Sequence, residues 1–281
     1  MRNNRLQVLI GCVMVLLASG CGKSSPQGPG GQSASTSGPQ GDSISAFTLV
    51  GHADDGRKKW EIQGQTANLL GETVHLSPVS ATSFGNVNVH LTAERGQFHR
   101  EAQDIHLEKD VIATTSDGAR LTTDSFDWMA KLETGRTADW VTVTRPGMTV
   151  VGKGGIGYPK LKRLRLERQV TVTLKGEKGT TLVTCDGPME VDYGRRRARF
   201  WRNVLVRDAK GFIRSDRMDV ALEQETNRME KATCWGHVEI HHEAQVAFCN
   251  RANYWQSPGR TRLLGHPKIV MLPENERMEN E

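Results

Sequence analysis

The chain has 281 residues, a net charge of +5 and 37% hydrophobic residues. That apolar share is too low for a polytopic membrane protein and argues against a thick, two-sided α/β core. Twenty-nine glycines against ten prolines point to many turns but not to a collagen repeat.

The N-terminus reads as an export signal. Arg2 and Arg5 precede an apolar run from Val8 to Ala18, too short for the ~20 residues a spanning helix needs and of the length of a signal-peptide core. Leu17-Ala18-Ser19-Gly20-Cys21 closes it and resembles a bacterial lipobox. Residues 1–20 are therefore expected to be a lipoprotein signal peptide, with Cys21 the lipidated residue. From Gly22 to Ser43, fifteen of 22 residues are Gly, Ser or Pro, a composition that cannot offset its ordering entropy. The segment 21–43 reads as a tether with a reach of roughly 25–28 Å. It would hold the body at the periplasmic face of a bacterial membrane, inner or outer. Cys185, Cys234 and Cys249 remain in the body; three is odd, so no complete disulfide framework forms, and any pairing among them is left open.

The body alternates with period two. Leu164, Leu166, Val170, Val172 and Leu174 share one parity, while Arg165, Glu167, Gln169, Thr171 and Thr173 fill the other, the mark of a half-buried strand. The same alternation recurs at Val87, Val89, Leu91 and Ala93, at Val141 and Val143, at Val204 and Val206, and at Met218, Val220 and Leu222. No long amphipathic helix competes, and the fold class is all-β. A longer repeat lies on top of this. Asp110-Val111, Gly118, Asp124 and Asp127 recur as Asn203-Val204, Gly211, Asp216 and Asp219. Valines at 111, 141, 170, 204 and 238 read as strand starts about one hairpin apart, the spacing of stacked units that bury their faces on each other. The ends of such a stack are open edges.

Several ordered motifs carry a family resemblance. Trp60-Glu61-Ile62-Gln63-Gly64, Leu91-Thr92-Ala93-Glu94-Arg95-Gly96-Gln97-Phe98, Asp117-Gly118-Ala119-Arg120-Leu121 and Val150-Val151-Gly152-Lys153-Gly154-Gly155 resemble LptC of the lipopolysaccharide-export bridge. Gly187-Pro188-Met189, Trp201-Arg202-Asn203-Val204, Ser215-Asp216-Arg217-Met218 and Gly236-His237-Val238-Glu239-Ile240 are similar to its periplasmic relative, the OstA-like LptA. The resemblance implies an elongated, half-open antiparallel β-jellyroll, or β-taco, with a C-like module at 44–157, a continuous A-like module at 158–271 and an acidic tail at 272–281. It further implies a non-enzymatic carrier with lipopolysaccharide as ligand and bridge proteins as partners through edge-strand addition. The inner-membrane ABC transporter would be a further partner. Inward positions Val87, Val89, Leu91, Val141, Val143, Val170, Val172, Val204 and Val206 are the candidates to meet acyl chains, with ordinary core as the alternative.

Charge is concentrated between Lys160 and Arg217, where 16 Lys and Arg face 7 Asp and Glu. Arg195, Arg196, Arg197, Arg199 and Arg202 are the candidates for anionic groups, because arginine forks match phosphate geometry; a solvated turn is the plainer reading. Nucleic acid is not expected as a partner of an exported chain. No cofactor and no catalytic residues are expected. The glycine run 152–157 lacks a following helix, and a metal at Cys234, His237, His241, His242 and Cys249 is not expected because strand alternation splits them between faces. A structural or adhesive β-solenoid that binds anionic polysaccharide is the competing reading.

Overall fold

The computed structural model describes residues 42–271 apart from 53–55, 71, 86–87, 117, 130, 133, 159–160, 177–178 and 224–227. The signal, Cys21, most of the tether, Val87 and the acidic tail therefore lie outside the described residues. Strand β1 begins at Asp42, so the last two residues of the expected tether belong to the sheet.

Among the described residues all strands form a single 18-stranded sheet. Every strand pair is antiparallel, and chain order is followed almost throughout: β1 (Asp42–His52) on β2 (Lys58–Leu70), β2 on β3 (Thr73–Ser83), and onward to β16 (Gln245–Trp255). Three layers are filled by split strands. β4 (Val89–Ala93) and β5 (Arg95–His99) lie end to end between β3 and β6 (Asp104–Thr115). β11 (Gly179–Cys185) and β12 (Met189–Asp192) do the same between β10 (Arg163–Gly176) and β13 (Arg197–Asp208). β17 (Arg260–Leu264) and β18 (Lys268–Met271) close the far end against β16.

The sheet is bent lengthwise, and the bend is written residue by residue. In β6, β13 and β15 (Met229–His242) the register shifts midway, at Glu108/Val111, Trp201/Val204 and Trp235/Val238. The extra residues adopt positive φ: Lys109 and Asp110, Arg202 and Asn203, Gly236 and His237. Such bulges kink a strand and increase its twist, and Asn, Asp and Gly accept the left-handed region at the lowest steric cost. Opposite them sits a single residue. Asp124 faces the β6 bulge, and Asp216 faces both the β13 and β15 bulges; a Cβ at Gly236 would stand 2.2 Å from the Asp216 carboxylate. In the split layers the crease falls at the break: a Cβ at Gly187 would stand 2.5 Å from the Glu167 carbonyl oxygen.

This corrects one sequence expectation. Val111, Val141, Val170, Val204 and Val238 are not strand starts; they sit inside long strands, at or just past the crease. Four of the five, all but Val141, are among the most completely buried side chains of the protein. The repeat unit is accordingly a hairpin of two long, bent strands rather than two short ones.

Alternation across this register produces one continuous inner row. Ile62, Ala81, Leu91, Ala113, Leu121 and Val143 are successive cross-strand partners. The row continues through Val150, Val172, Val183, Val206, Ile213, Ile240, Ala247 and Ile269. Nothing interrupts it at the β9–β10 junction, where β9 (Met148–Tyr158) pairs with β10 along nearly its whole length. Two apolar clusters lie in the bend: one around Leu76, Val89, Leu107 and Val111, the other around Val141, Leu166, Phe200 and Val238.

Candidate lipid groove

The second cluster does not fill its half of the bend. Between the arms lies a cavity of about 1300 Å³, larger than the ~300–1,000 Å³ usual for small-molecule pockets. One wall is the far-arm row Val143, Val150, Val172, Val183, Val206, Ile213 and Ile240; the other is Leu164, Met189, Val191, Phe200, Met218 and Val220. The near-arm row falls to glycine where the cavity begins and alternates small with larger residues beyond. Trp128 is opposite Gly135, which is opposite Gly157; the row then runs Leu164, Val191, Ala198, Val220 and Ala232. Leu121, Thr123 and Phe126 close the cavity at one end, and it runs out past Thr261, Leu263 and Ile269 in the last strands. Ile269 is 61% exposed.

The sequence candidates divide by position. Val141, Val143, Val172 and Val206 line the cavity. Val170 and Val204 are each 1% exposed and lie in the crease beneath it. Val89 and Leu91 belong to the packed first cluster, outside the cavity. Period-two reading missed the opposite wall, because Leu164, Met189, Val191 and Phe200 face the valines only once the strands bend; the signal was present in their own alternation. It also missed the polar residues that line the cavity, Arg136, Arg145, Lys210, Arg228, Tyr193, His241 and His242. Burial raises the Tyr193 phenol above its ordinary range, and nearby Arg145 partly opposes this.

The arginine cluster does not converge. Asp192 accepts the Arg195 backbone N–H at 2.8 Å, with the Arg195 side chain beyond at 3.9 Å. Arg196 occupies the turn with positive φ, and Arg197 opens β13. Arg199 is paired with Glu190 and lies over Trp201, while Arg202 donates to the Gly187 carbonyl across the crease. Alternation sends Arg197 and Arg199 to the outer face, away from Ala198 and Phe200 in the cavity wall.

The three body cysteines are free and buried. Burial pushes the Cys234 thiol up to about 11 and raises Cys185 and Cys249 as well, which makes all three poor nucleophiles. Cys234 and Cys249 lie in the interior cluster, whereas His237 bonds Asp216 at 2.8 Å and His241 stacks on Phe212. Among the described residues no group of three His, Cys, Asp or Glu side chains is placed to hold a metal ion. No helix among the described residues is long and apolar enough to cross a membrane.

A continuous antiparallel sheet, bent along a bulged crease around an apolar trough that opens at its last strands, defines an elongated β-jellyroll with a hydrophobic groove. Residues 43–175 match the family model described as LptC: Lipopolysaccharide-assembly, LptC-related. This part of the chain is LptC-like, and the LptC family has its role in the periplasmic lipopolysaccharide bridge. No curated protein matches the chain.

Proposed function

We propose that the protein carries lipopolysaccharide across the periplasm, with the lipid A acyl chains in the groove between Val143 and Ile269 and the sugars in water. The observation that carries this reading is the coincidence of the 1300 Å³ cavity with the unbroken aliphatic row. A methylene moved from water into such a trough contributes ~0.8 kcal/mol, so several acyl chains would bind firmly, and a row without polar steps lets them slide. Residues beyond 175 act as an A-like module fused in register to the LptC-related part. The same bulge pattern and split strand recur there, at 202–203 and at β11/β12 as at 109–110 and β4/β5. One chain would then replace a joint that separate bridge proteins make by edge pairing. Export through the 1–20 signal, lipidation at Cys21 and bridge partners at the edges of β1 and of β17/β18 complete the reading.

The test places a photo-crosslinking residue at Val172, which lines the groove, or at Thr171, its outward neighbour. Lipopolysaccharide captured at Val172 and not at Thr171 is the expected result. Capture at neither position by a folded protein would overturn the proposal.

A further inference from the structure

The outer face of the second half carries an ordered aromatic and cationic row that the groove does not use. Trp201, Arg217, Trp235 and Arg251 are successive cross-strand partners on β13, β14 (Gly211–Leu222), β15 and β16. The guanidiniums lie over the indoles: Arg199 and Arg217 stand 5.1 and 5.8 Å from the Trp201 ring, and Arg251 stands 4.1 Å from the Trp235 ring. Carboxylates hold the first two in place. Arg217 makes a two-pronged contact with Asp219 at 2.8 and 2.7 Å, and Arg199 pairs with Glu190.

Arg251 differs. Among the described residues no carboxylate is paired with it, and its Nε is buried without a hydrogen-bond acceptor. A guanidinium pressed on an indole is partly desolvated and retains its fork for an acceptor from outside. Trp235 beside it is 38% exposed. Trp201 and Trp235 stand on alternate strands, roughly 9–10 Å apart at 4.7–4.9 Å per strand, about the length of two linked sugar rings in an extended chain.

From this geometry we infer a second binding site: the Trp201–Arg217–Trp235–Arg251 row is a platform for an extended anionic polysaccharide, sugar rings lying on Trp235 and a carboxylate or phosphate taken by Arg251. The basic stretch between Lys160 and Arg217, with 16 basic against 7 acidic residues, carries Trp201 and Arg217 and ends before Trp235 and Arg251. The row lies on the face opposite the groove, so the platform does not depend on what the groove carries. A glycan favours this surface over a lipid headgroup layer because the indoles stand at a fixed two-strand repeat with guanidiniums over them.

The test uses the full chain in affinity electrophoresis and tryptophan-fluorescence titration with polygalacturonate, against uncharged dextran and phosphatidylglycerol vesicles. Retardation by polygalacturonate but not dextran is expected, weakened at least tenfold by Arg251→Gln and by Trp235→Leu. Both variants should keep the parent melting temperature and Val172 crosslinking. Four results would each overturn the assignment: no retardation, equal retardation by dextran, retardation unchanged in both variants, or binding to the vesicles alone.

Discussion

The two halves of the bent sheet share strand register, crease chemistry and inner aliphatic row, yet one is packed solid and the other is hollow. In the strands up to β6, Leu76, Val79, Leu91, Leu107 and Val111 meet across the bend and leave no trough among them. Past Trp128, the near-arm row runs Gly135, Gly157, Leu164, Val191, Ala198, Val220 and Ala232, and the arms stand apart around 1300 Å³. The fold is therefore set by the pattern of inward positions, and the groove by their size. Packing at interior density is the default for apolar side chains; a stable void is obtained only by withholding volume from one wall.

Trp128 marks the change, and its replacement is the hardest blow to the comparison. It is 2% exposed, and its indole N–H is buried without an acceptor among the described residues. Trp128→Ala should cost about 4 kcal/mol in urea unfolding and let an acyl-chain probe crosslink at Leu107, which the parent protein excludes. Trp128→Phe keeps the ring and removes the orphan donor, so it should cost much less than the alanine variant; an equal loss would mean that the N–H has a partner. Next in size, Leu107→Ala should cost about 3 kcal/mol, since it opens a void in a filled interior. Val183→Ala should cost about 1 kcal/mol, because its side chain already faces open space. Equal costs would erase the distinction between the halves.

A third change acts on the hollow half alone. A Cβ at Gly155 would make ordinary contact with Leu166 and Val141 at 3.4 Å, so Gly155→Leu projects into the trough. It should lower lipopolysaccharide capture at Val172 about tenfold while shifting the melting temperature by only a few degrees. The smallest effect belongs to the packed half. His106 lies between Asp127 at 2.6 Å and Glu108 at 2.9 Å, and the bond to Asp127, with Glu108 adding to it, raises its pKa above 6.5. With the folded value above the unfolded one, this contribution is complete below pH 6.5 and fades as pH rises through the raised value. His106→Gln should therefore lower the melting temperature at pH 5.5 and leave it nearly unchanged at pH 9.

Alternation made the all-β fold and the valines of one wall legible from residues alone, because period two needs only near neighbours. The crease was half legible: Asp110-Val111 and Asn203-Val204 stood out as repeats, but a bulge inside a long strand and the start of a short one leave the same local trace. Arg195 to Arg202 looked like one site because they are adjacent in sequence; alternation and a positive-φ turn distribute them among separate partners. The contrast between filled and hollow halves was not legible. It depends on which side chains meet across the bend, a distance that no sequence window contains.

The inner row also has a length. From Ile62 to Ile269 it advances one strand at a time, perpendicular to the chain, and at 4.7–4.9 Å per step it spans roughly 60 Å. That exceeds the ~40–45 Å thickness of a whole bilayer. Each hairpin adds roughly 10 Å without disturbing either end, so the molecule is a ruler graduated in hydrogen-bonded steps. A gap of different width between two membranes could be met by gaining or losing a hairpin of some thirty residues rather than by redesigning the fold.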